Sequence, residues 1–245
     1  AKNLATIGIA GAPVCPDVAF LLNDITDDAA GGPDVGKYLE FGDRAKRVVA
    51  ISPSSEVYKR CGKEGIDYVG IHAEFVRRLV GIGYRVLVAP HSTRPNTDKL
   101  KNNDLPVARL LMKAAGGTPE AAMVEDELDS VTLRRLMGRC DFCLASRFHG
   151  MISALAMGVP VMVCGWGHKY FEILDMFAQR QYAFDYRGMS ADKMTETFRQ
   201  LAQNEADVRK TIKAALGDVM ARSRAQIDAV VEIVESKRRG ASGGG

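Results

Sequence analysis

The sequence predicts an α/β protein built on a doubly wound parallel sheet, and two patterns carry that prediction. Short β-rich runs alternate along the chain with segments that place apolar residues at helical spacing. Each run ends in a short loop before the next helical segment begins. Strands that alternate with helices in this way indicate a parallel sheet with helices on both faces, in the strand order 3-2-1-4-5-6.

The predicted elements follow one another regularly from Arg47. Strands are expected at residues 47–52, 85–90, 121–124, 141–146, 159–164 and 182–186. Helices are expected at residues 68–80, 105–115, 131–139 and 150–158, with another after the fifth strand. Asp129 and Ser130 are predicted to cap the third of these helices. Residues 191–238 have the apolar spacing of one or two amphipathic helices.

The chain is expected to form one domain with a lead-in and a tail. Residues 1–46 are interpreted as a lead-in followed by a polar linker, with the end of a helix at Ala1 to Ile7 and a short strand at Val14 to Leu22. Residues 47–236 are predicted to form the domain together with its C-terminal helices. The charged and glycine-rich residues 237–245 are expected to be disordered.

Composition excludes several classes of function. The chain has 245 residues, of which 47% are hydrophobic, enough for a sizeable core. The 33 Lys and Arg are nearly balanced by 30 Asp and Glu, so no nucleic-acid partner is expected. No apolar run approaches the roughly twenty residues that span a bilayer, and no signal peptide is recognised. The five cysteines are interpreted as reduced thiols, which predicts a cytoplasmic protein.

Two strand-to-helix junctions carry most of the candidate chemistry. Arg147, Phe148 and His149 follow the fourth predicted strand, and the segment from Gly165 to Lys169 follows the fifth. Neighbouring strand ends of a parallel sheet open onto one crevice, where ligands of such folds bind. We therefore expect the active site at this edge.

At the first junction, Arg147 offers a planar fork that suits a carboxylate or a phosphate. His149 can act as a general acid or base near neutral pH. The start of the following helix adds unpaired N–H groups for an anion. In the alternative interpretation, Arg147 pairs with Glu125 or Asp126 at the end of the third strand and His149 only caps the helix.

At the second junction, Gly165 and Gly167 allow close approach of a ligand to the backbone, Trp166 could stack on a ring, and Lys169 could meet a phosphate. Alternatively, the glycines only make the turn and Lys169 is solvated. Further substrate-binding candidates follow the first two strands: Ser52, Ser54, Ser55, Arg60 and His91.

Cofactor and metal signatures are missing from the sequence. No Gly-x-Gly-x-x-Gly follows the first strand and no Walker spacing of Ser or Thr with Lys occurs, so no dinucleotide site is expected. Cys140 and Cys143 form a single pair, for which burial is a simpler prediction than zinc. No cofactor and no metal is predicted.

Several of these segments together resemble the polysaccharide pyruvyl transferase family, from about Asp17 to Asp185. The resemblance rests on PDVAFLL at 16–22, ISPSS at 51–55, VLVAPHS at 86–92 and, most specifically, SRFHGMISALAMGVPVMV at 146–163. It implies two Rossmann-like domains arranged as in GT-B glycosyltransferases, of which this chain resembles the C-terminal one. The N-terminal domain is expected to be missing. Phe148 stands where the family often has Leu.

The resemblance also implies a reaction and its residues. Family members transfer the pyruvyl group of phosphoenolpyruvate to two sugar hydroxyls, and Arg147, His149 and Lys169 match the family's functional residues. The expected partners are phosphoenolpyruvate and a sugar or glycolipid acceptor; a lipid-linked acceptor would bring the protein to the membrane periphery. Phe148 is included among the substrate-binding residues. Two alternatives stay open: a GT-B domain that binds a nucleotide sugar, and a catalytically inactive binding domain.

Overall fold

A parallel sheet of six strands forms the centre of the structure, a computed structural model that describes residues 6–8, 11, 13–25, 34–94 and 96–242. The strand order is β3-β2-β1-β4-β5-β6, which confirms the predicted doubly wound sheet. The strands are β1 (Val48–Ser52), β2 (Arg85–Val88), β3 (Ala121–Met123), β4 (Phe142–Ala145), β5 (Val161–Gly165) and β6 (Ala183–Asp185).

Helices follow the strands as the alternating pattern predicts. They are α1 (Ser55–Lys63), α2 (Tyr68–Gly81), α3 (Leu105–Ala115), α4 (Ser130–Gly138), α5 (Phe148–Ala156), α6 (His168–Met176), α7 (Ala191–Gln203) and α8 (Glu205–Ser242). Short 3-10 helices lie at Val18–Ile25, Gly36–Leu39, Arg180–Tyr182 and Tyr186–Gly188. The predicted cap of α4 is confirmed, since the Asp129 carboxylate accepts hydrogen bonds from the backbone N–H groups of Val131 and Thr132.

The core lies around β1 and β4, which pair with each other in the middle of the sheet. Every residue of both strands is buried, and their side chains are mostly Val, Ala, Ile, Leu and Phe. A central strand of a parallel sheet is covered by helices on both faces, so an apolar run without alternation is what such a strand requires. This rigid centre holds the carboxyl ends of β1 and β4 next to each other.

Two predictions about the first part of the chain are corrected. Val14 to Leu22 is not a strand, because a 3-10 helix begins at Val18. The Asp17 carboxylate accepts a hydrogen bond from the Ala19 N–H at 2.9 Å, which turns the chain, and Phe20 is fully buried. Helix α1 is also not predicted from the sequence. In the structure this helix begins directly after β1, and Ser54 is its N-cap.

The C-terminal prediction is corrected as well. Helix α8 continues to Ser242, so the disorder expected from residue 237 does not begin there. Lys237, Arg238 and Arg239 are good helix formers that extend the helix once α8 has been nucleated. Residues 1–5 of the predicted first helix, residues 26–33 of the predicted linker and residues 243–245 lie outside the described residues.

The buried His72 of α2 gives the fold a predictable pH dependence. Its Nδ1 lies 2.9 Å from the Tyr68 carbonyl oxygen, and burial lowers the pKa of the ring to about 4 from an ordinary 6.5. Between these values the unfolded chain binds a proton that the folded chain does not, so folding stability is lost as the pH falls.

We therefore expect the free energy of unfolding to decrease as the pH is lowered from 6.5 towards 4. A His72→Phe variant should show a shallower decrease, measured by urea unfolding at a series of pH values. Burial also lowers the pKa of His91, so this residue should account for much of the decrease that remains in the His72→Phe variant. His168→Phe, at an exposed position, is the matched control and should keep the parent slope. Equal slopes for His72→Phe and the parent would contradict this account.

Candidate active site

The carboxyl ends of β1, β2 and β4 are joined by one buried carboxylate, that of Asp104 at the start of α3. Asp104 is fully buried and accepts hydrogen bonds from the Ser55 N–H at 2.7 Å and from the Ser92 N–H at 3.1 Å. It also accepts from Arg147 Nε at 2.7 Å and Nη2 at 2.8 Å. A single side chain thus fixes the loops that follow three neighbouring strands.

The guanidinium of Arg147 is held in a bidentate geometry by Asp104. Its side chain is 22% exposed, and Nη2 also donates to Ser55 Oγ at 3.2 Å. Burial alone would lower the pKa of Arg147, but the hydrogen-bonded Asp104 carboxylate more than offsets it, so the pKa is raised. The Arg147 guanidinium, which the sequence suggested for a ligand, therefore binds the Asp104 carboxylate of the protein itself.

The alternative partners for Arg147 suggested by the sequence are wrong. Glu125 pairs with Arg109 at 2.8 Å, and Asp126 pairs with Lys37 at 3.3 Å. The sheet order explains this, because β2 and β1 separate the end of β3 from the end of β4. Asp104 can contact Arg147 because α3 begins beside the carboxyl ends of β1, β2 and β4.

His149 and Lys169 come together from the two predicted junctions. The His149 side chain, on the first turn of α5, is 67% exposed, and its Nε2 lies 4.0 Å from Asp17 Oδ2. Lys169, on the first turn of α6, places Nζ 4.1 Å from the centre of the Phe148 ring. Tyr170 supports that ring from the other side, with the ring centres 5.4 Å apart. Phe148 is thus the surface between the two functional groups.

These residues line a pocket that we call the outer pocket. Its volume is ≈ 450 Å³, and Asp17, Phe148, His149, Lys169 and Glu172 line it. The first turns of α5 and α6 both reach this pocket, so helix N–H groups accompany a cation and an imidazole. Such a combination suits an anionic ligand of small size.

His149 also borders a second pocket, which we call the inner pocket. It has a volume of ≈ 610 Å³ and is lined by His91, Arg134, His149 and Ser153, together with leucines of the 3-10 helix and α4. Asp17 belongs to both pockets. The imidazole of His149 therefore borders both the smaller outer pocket and the larger, more apolar inner pocket.

Ser52 and His91, predicted to bind substrate, contact each other. Ser52 Oγ lies 2.8 Å from His91 Nδ1, and Ser52 is fully buried beneath α5. Gly150 makes this possible, because a Cβ at that position would lie 2.5 Å from Ser52 Oγ. Of the two, only His91 lines the inner pocket.

The remaining candidates support the site. Ser54 caps α1, and Ser55 binds Asp104 and Arg147. Gly167 is the N-cap residue of α6. A Cβ on Gly165 would lie 2.9 Å from the Tyr170 ring, so this glycine allows the ring to pack.

Arg60 and Trp166 contact each other at the second junction. The Arg60 guanidinium lies 4.2 Å from the centre of the Trp166 ring, where a ligand ring was suggested, and Nε also binds Glu56 at 3.1 Å. Arg60 lines a third pocket, of ≈ 440 Å³, beside α1. The structure thus separates Arg60 from the pocket that holds His149 and Lys169.

Two residues of the site were missed by the sequence interpretation. Asp104 precedes Leu105 and a proline in the first turn of α3, a recognisable start of a helix, but its partner Arg147 lies 43 positions away. Asp17 was noted only as part of the PDVAFLL segment. No local signal indicates that its carboxylate faces His149.

Among the residues that the structure describes, no group of three or more His, Cys, Asp or Glu is arranged to hold a metal ion. Cys140 and Cys143 are buried as predicted, and burial raises the pKa of the Cys140 thiol to about 12. None of the helices in the described part of the chain is long and apolar enough to cross a membrane.

Solved structures of known proteins share this fold. S. aureus MnaA, solved with UDP, matches with a TM-score of 0.62 and 15% identity over 91% of this chain and 54% of its own. A putative UDP-N-acetylglucosamine 2-epimerase from Listeria monocytogenes has a TM-score of 0.58 and 16% identity over 89% and 52%. A UDP-forming trehalose-phosphate synthase from Burkholderia vietnamiensis has a TM-score of 0.56 and 10% identity over 92% and 52%.

These matches establish the fold. The fold is the Rossmann-like fold of GT-B glycosyltransferases, and the chain spans about half the length of the solved structures that it matches. A model of the polysaccharide pyruvyl transferase family matches residues 1–168, which is more than half of the chain. The chain belongs to that family, as its sequence motifs predict.

Removing the Asp104 carboxylate should destabilise the whole edge. We expect Asp104→Ala to lower the free energy of unfolding by about 3–5 kcal/mol, because it leaves a partly buried guanidinium and two backbone N–H groups without their acceptor. Asp126→Ala is the matched control; its carboxylate also binds a cation, but it is 56% exposed, and removing it should cost about 1 kcal/mol or less. Chemical denaturation of both variants measures the difference. A similarly small loss of unfolding free energy in both variants would contradict the claim that Asp104 holds the three strand ends together.

Proposed function

We propose that this chain is the donor-binding half of an enzyme that transfers a pyruvyl group from phosphoenolpyruvate to two hydroxyls of a sugar. The acceptor would be part of a polysaccharide or glycolipid precursor. The observation that carries the proposal is the outer pocket, in which His149 and Lys169 meet at two helix N-termini. Membership of the polysaccharide pyruvyl transferase family supports it.

The proposed reaction assigns a clear task to each group. One sugar hydroxyl adds its oxygen to C2 of phosphoenolpyruvate and releases its proton, while C3 takes a proton from an acid and becomes a methyl group, so that one proton is released for the one taken up. The second hydroxyl then attacks C2, the bond from C2 to the phosphate oxygen breaks, and the second hydroxyl proton leaves with the phosphate. The products are a cyclic pyruvate ketal and inorganic phosphate, so no further cofactor is required.

His149 is proposed as the acid that protonates C3. The imidazole borders the outer pocket, and histidine is the side chain that most often transfers protons in enzymes. The nearby Asp17 carboxylate, 4.0 Å from Nε2, would hold the ring in one orientation. Lys169 and the N–H groups of α5 and α6 would stabilise the charges of the carboxylate and the departing phosphate.

Arg147 is proposed to act mainly by positioning His149. Nε and Nη2 are occupied by Asp104, so Nη1 is the guanidinium nitrogen without a protein acceptor among the described residues. Contact with the donor would therefore involve Nη1, which is less than the full clamp suggested by the sequence. The Asp104 pair fixes Arg147 at the N-cap of α5 and thereby the direction in which His149 leaves the helix.

The remainder of the proposed cleft would come from a second domain. The solved structures that share the fold are about twice as long as the part that matches. A facing domain would cover the exposed side of His149 and Lys169 and contribute to acceptor binding. A lipid-linked acceptor would place the protein at the periphery of a membrane.

A second candidate is binding of a nucleotide sugar in the same crevice. Glu172 lines the outer pocket, where a carboxylate could accept hydrogen bonds from ribose hydroxyls. S. aureus MnaA, which shares this fold, was solved together with UDP. Thermal stabilisation of the chain by UDP but not by phosphoenolpyruvate would favour this candidate, and stabilisation by neither would favour a domain that has lost both ligands.

Replacing His149 should abolish transfer without affecting the fold. We expect His149→Ala to reduce phosphate release from phosphoenolpyruvate at least a hundredfold, the scale of a general acid. The melting temperature should change little because the side chain is 67% exposed. His168→Ala, at an exposed position on the first turn of α6, is the matched control and should retain activity. Near-normal phosphate release by His149→Ala would contradict the assignment.

A further inference from the structure

His91 lines the inner pocket and carries a buried ring nitrogen without a partner in the described part of the chain. Its Nδ1 lies 2.8 Å from Ser52 Oγ and 3.2 Å from the Ala89 carbonyl oxygen. Its Nε2 is buried and has no hydrogen-bond partner among the described residues. A buried polar atom without a partner costs free energy, and one that faces a pocket has a ready partner in a bound ligand.

The contacts of Nδ1 define what that ligand must offer. The Ala89 carbonyl oxygen can only accept a hydrogen bond, so the tautomer with the proton on Nδ1 satisfies both neighbours, with Ser52 Oγ as the second acceptor. The opposite tautomer would place two lone pairs towards each other at 3.2 Å. Nε2 therefore carries a lone pair and requires a hydroxyl or N–H donor from the ligand.

The walls of the inner pocket narrow the choice of ligand further. The volume of ≈ 610 Å³ is sufficient for one or two sugar rings, and Leu22, Leu128 and Leu133 offer apolar surface. Asp17, Ser130 and Ser153 add separated polar groups around that surface. Apolar C–H faces combined with several hydroxyls are the chemistry of a carbohydrate.

We propose that the inner pocket binds the acceptor sugar, with His91 Nε2 accepting a hydrogen bond from one of its reacting hydroxyls. This inference rests on the proposed function, since it places the acceptor on the side of His149 that faces away from Lys169. The sugar hydroxyl and the donor then meet at the imidazole that borders both pockets.

His91 is suited to orienting a hydroxyl rather than to holding its proton. Burial lowers the pKa of the ring to about 4, so the ring is neutral and Nε2 stays an acceptor at physiological pH. Ser52 holds the ring from below, and Gly150 leaves the space for this pair under α5. These contacts hold the ring in one orientation at the wall of the pocket.

His72 offers an internal control for the experiment. Burial lowers its pKa to about 4 as well, its Nδ1 also contacts a carbonyl oxygen, and its Nε2 is also buried without a partner among the described residues. It lies on α2 and lines neither the outer nor the inner pocket. A ligand in the inner pocket should act on His91 and leave His72 unchanged.

The test is a long-range proton–nitrogen NMR spectrum of the histidine rings of the whole chain at neutral pH. The probes are methyl β-galactopyranoside, methyl β-glucopyranoside, methyl α-mannopyranoside and, separately, phosphoenolpyruvate. Both buried histidines should show an unprotonated Nε2. At least one methyl glycoside should shift the His91 Nε2 resonance in a saturable manner and leave that of His72 in place. His91→Gln, which keeps a side-chain acceptor, should bind that glycoside more tightly than His91→Phe, whose affinity should fall roughly tenfold.

The outcomes distinguish this inference from the proposed function. A protonated Nε2 on His91, or no shift with any glycoside, would overturn the acceptor site even if phosphoenolpyruvate shifts the His149 resonances. Shifts of His91 with a glycoside support it, and a simultaneous lack of any response to phosphoenolpyruvate would refute only the donor proposal. Equal shifts of His72 and His91 would indicate a general effect on the fold and would also overturn the inference.

Discussion

The bidentate pair of Asp104 and Arg147 is the constraint on which the site depends. The partly buried guanidinium of Arg147 at the end of β4 requires a counter-charge, which Asp104 supplies. Asp104 also accepts hydrogen bonds from two backbone N–H groups in neighbouring loops. The same interaction therefore neutralises a charge, joins the ends of three strands and fixes the first turn of α5. Because Arg147 is the N-cap of α5, holding it in place also positions His149 in the first turn of that helix.

The organisation of the sheet and the grouping of His149 and Lys169 at one pocket could be predicted, because both follow from local patterns. Alternating strands and helices require a parallel sheet, and adjacent strand ends place Arg147, His149 and Lys169 at one edge. The partner of Arg147 could not be predicted, since Asp104 is distant in the sequence and its role is defined only by the packing of α3. The strand expected at Val14 to Leu22 failed for a related reason: a β-rich composition was overridden by the turn at Asp17 and the burial of Phe20.

The structure also changes the meaning of several polar residues near the site. Ser52 ends β1, and Ser54 and Ser55 follow it, as ligand-binding serines would, yet all three are buried and bind protein groups. They act by shaping the edge of the sheet. The groups left for ligands are fewer and lie on either side of one imidazole, an arrangement that suits a reaction joining an anionic donor to a polyol.

The central claim is that the Asp104–Arg147 pair is a fixed frame and that the donor binds beside it. A crystal structure of the chain with phosphoenolpyruvate tests this most directly. The account predicts the phosphate and carboxylate in the outer pocket, in contact with Lys169 and the first turns of α5 and α6, with both hydrogen bonds between Arg147 and Asp104 retained. A donor that displaces Asp104 from Arg147, or that binds away from His149 and Lys169, would contradict it.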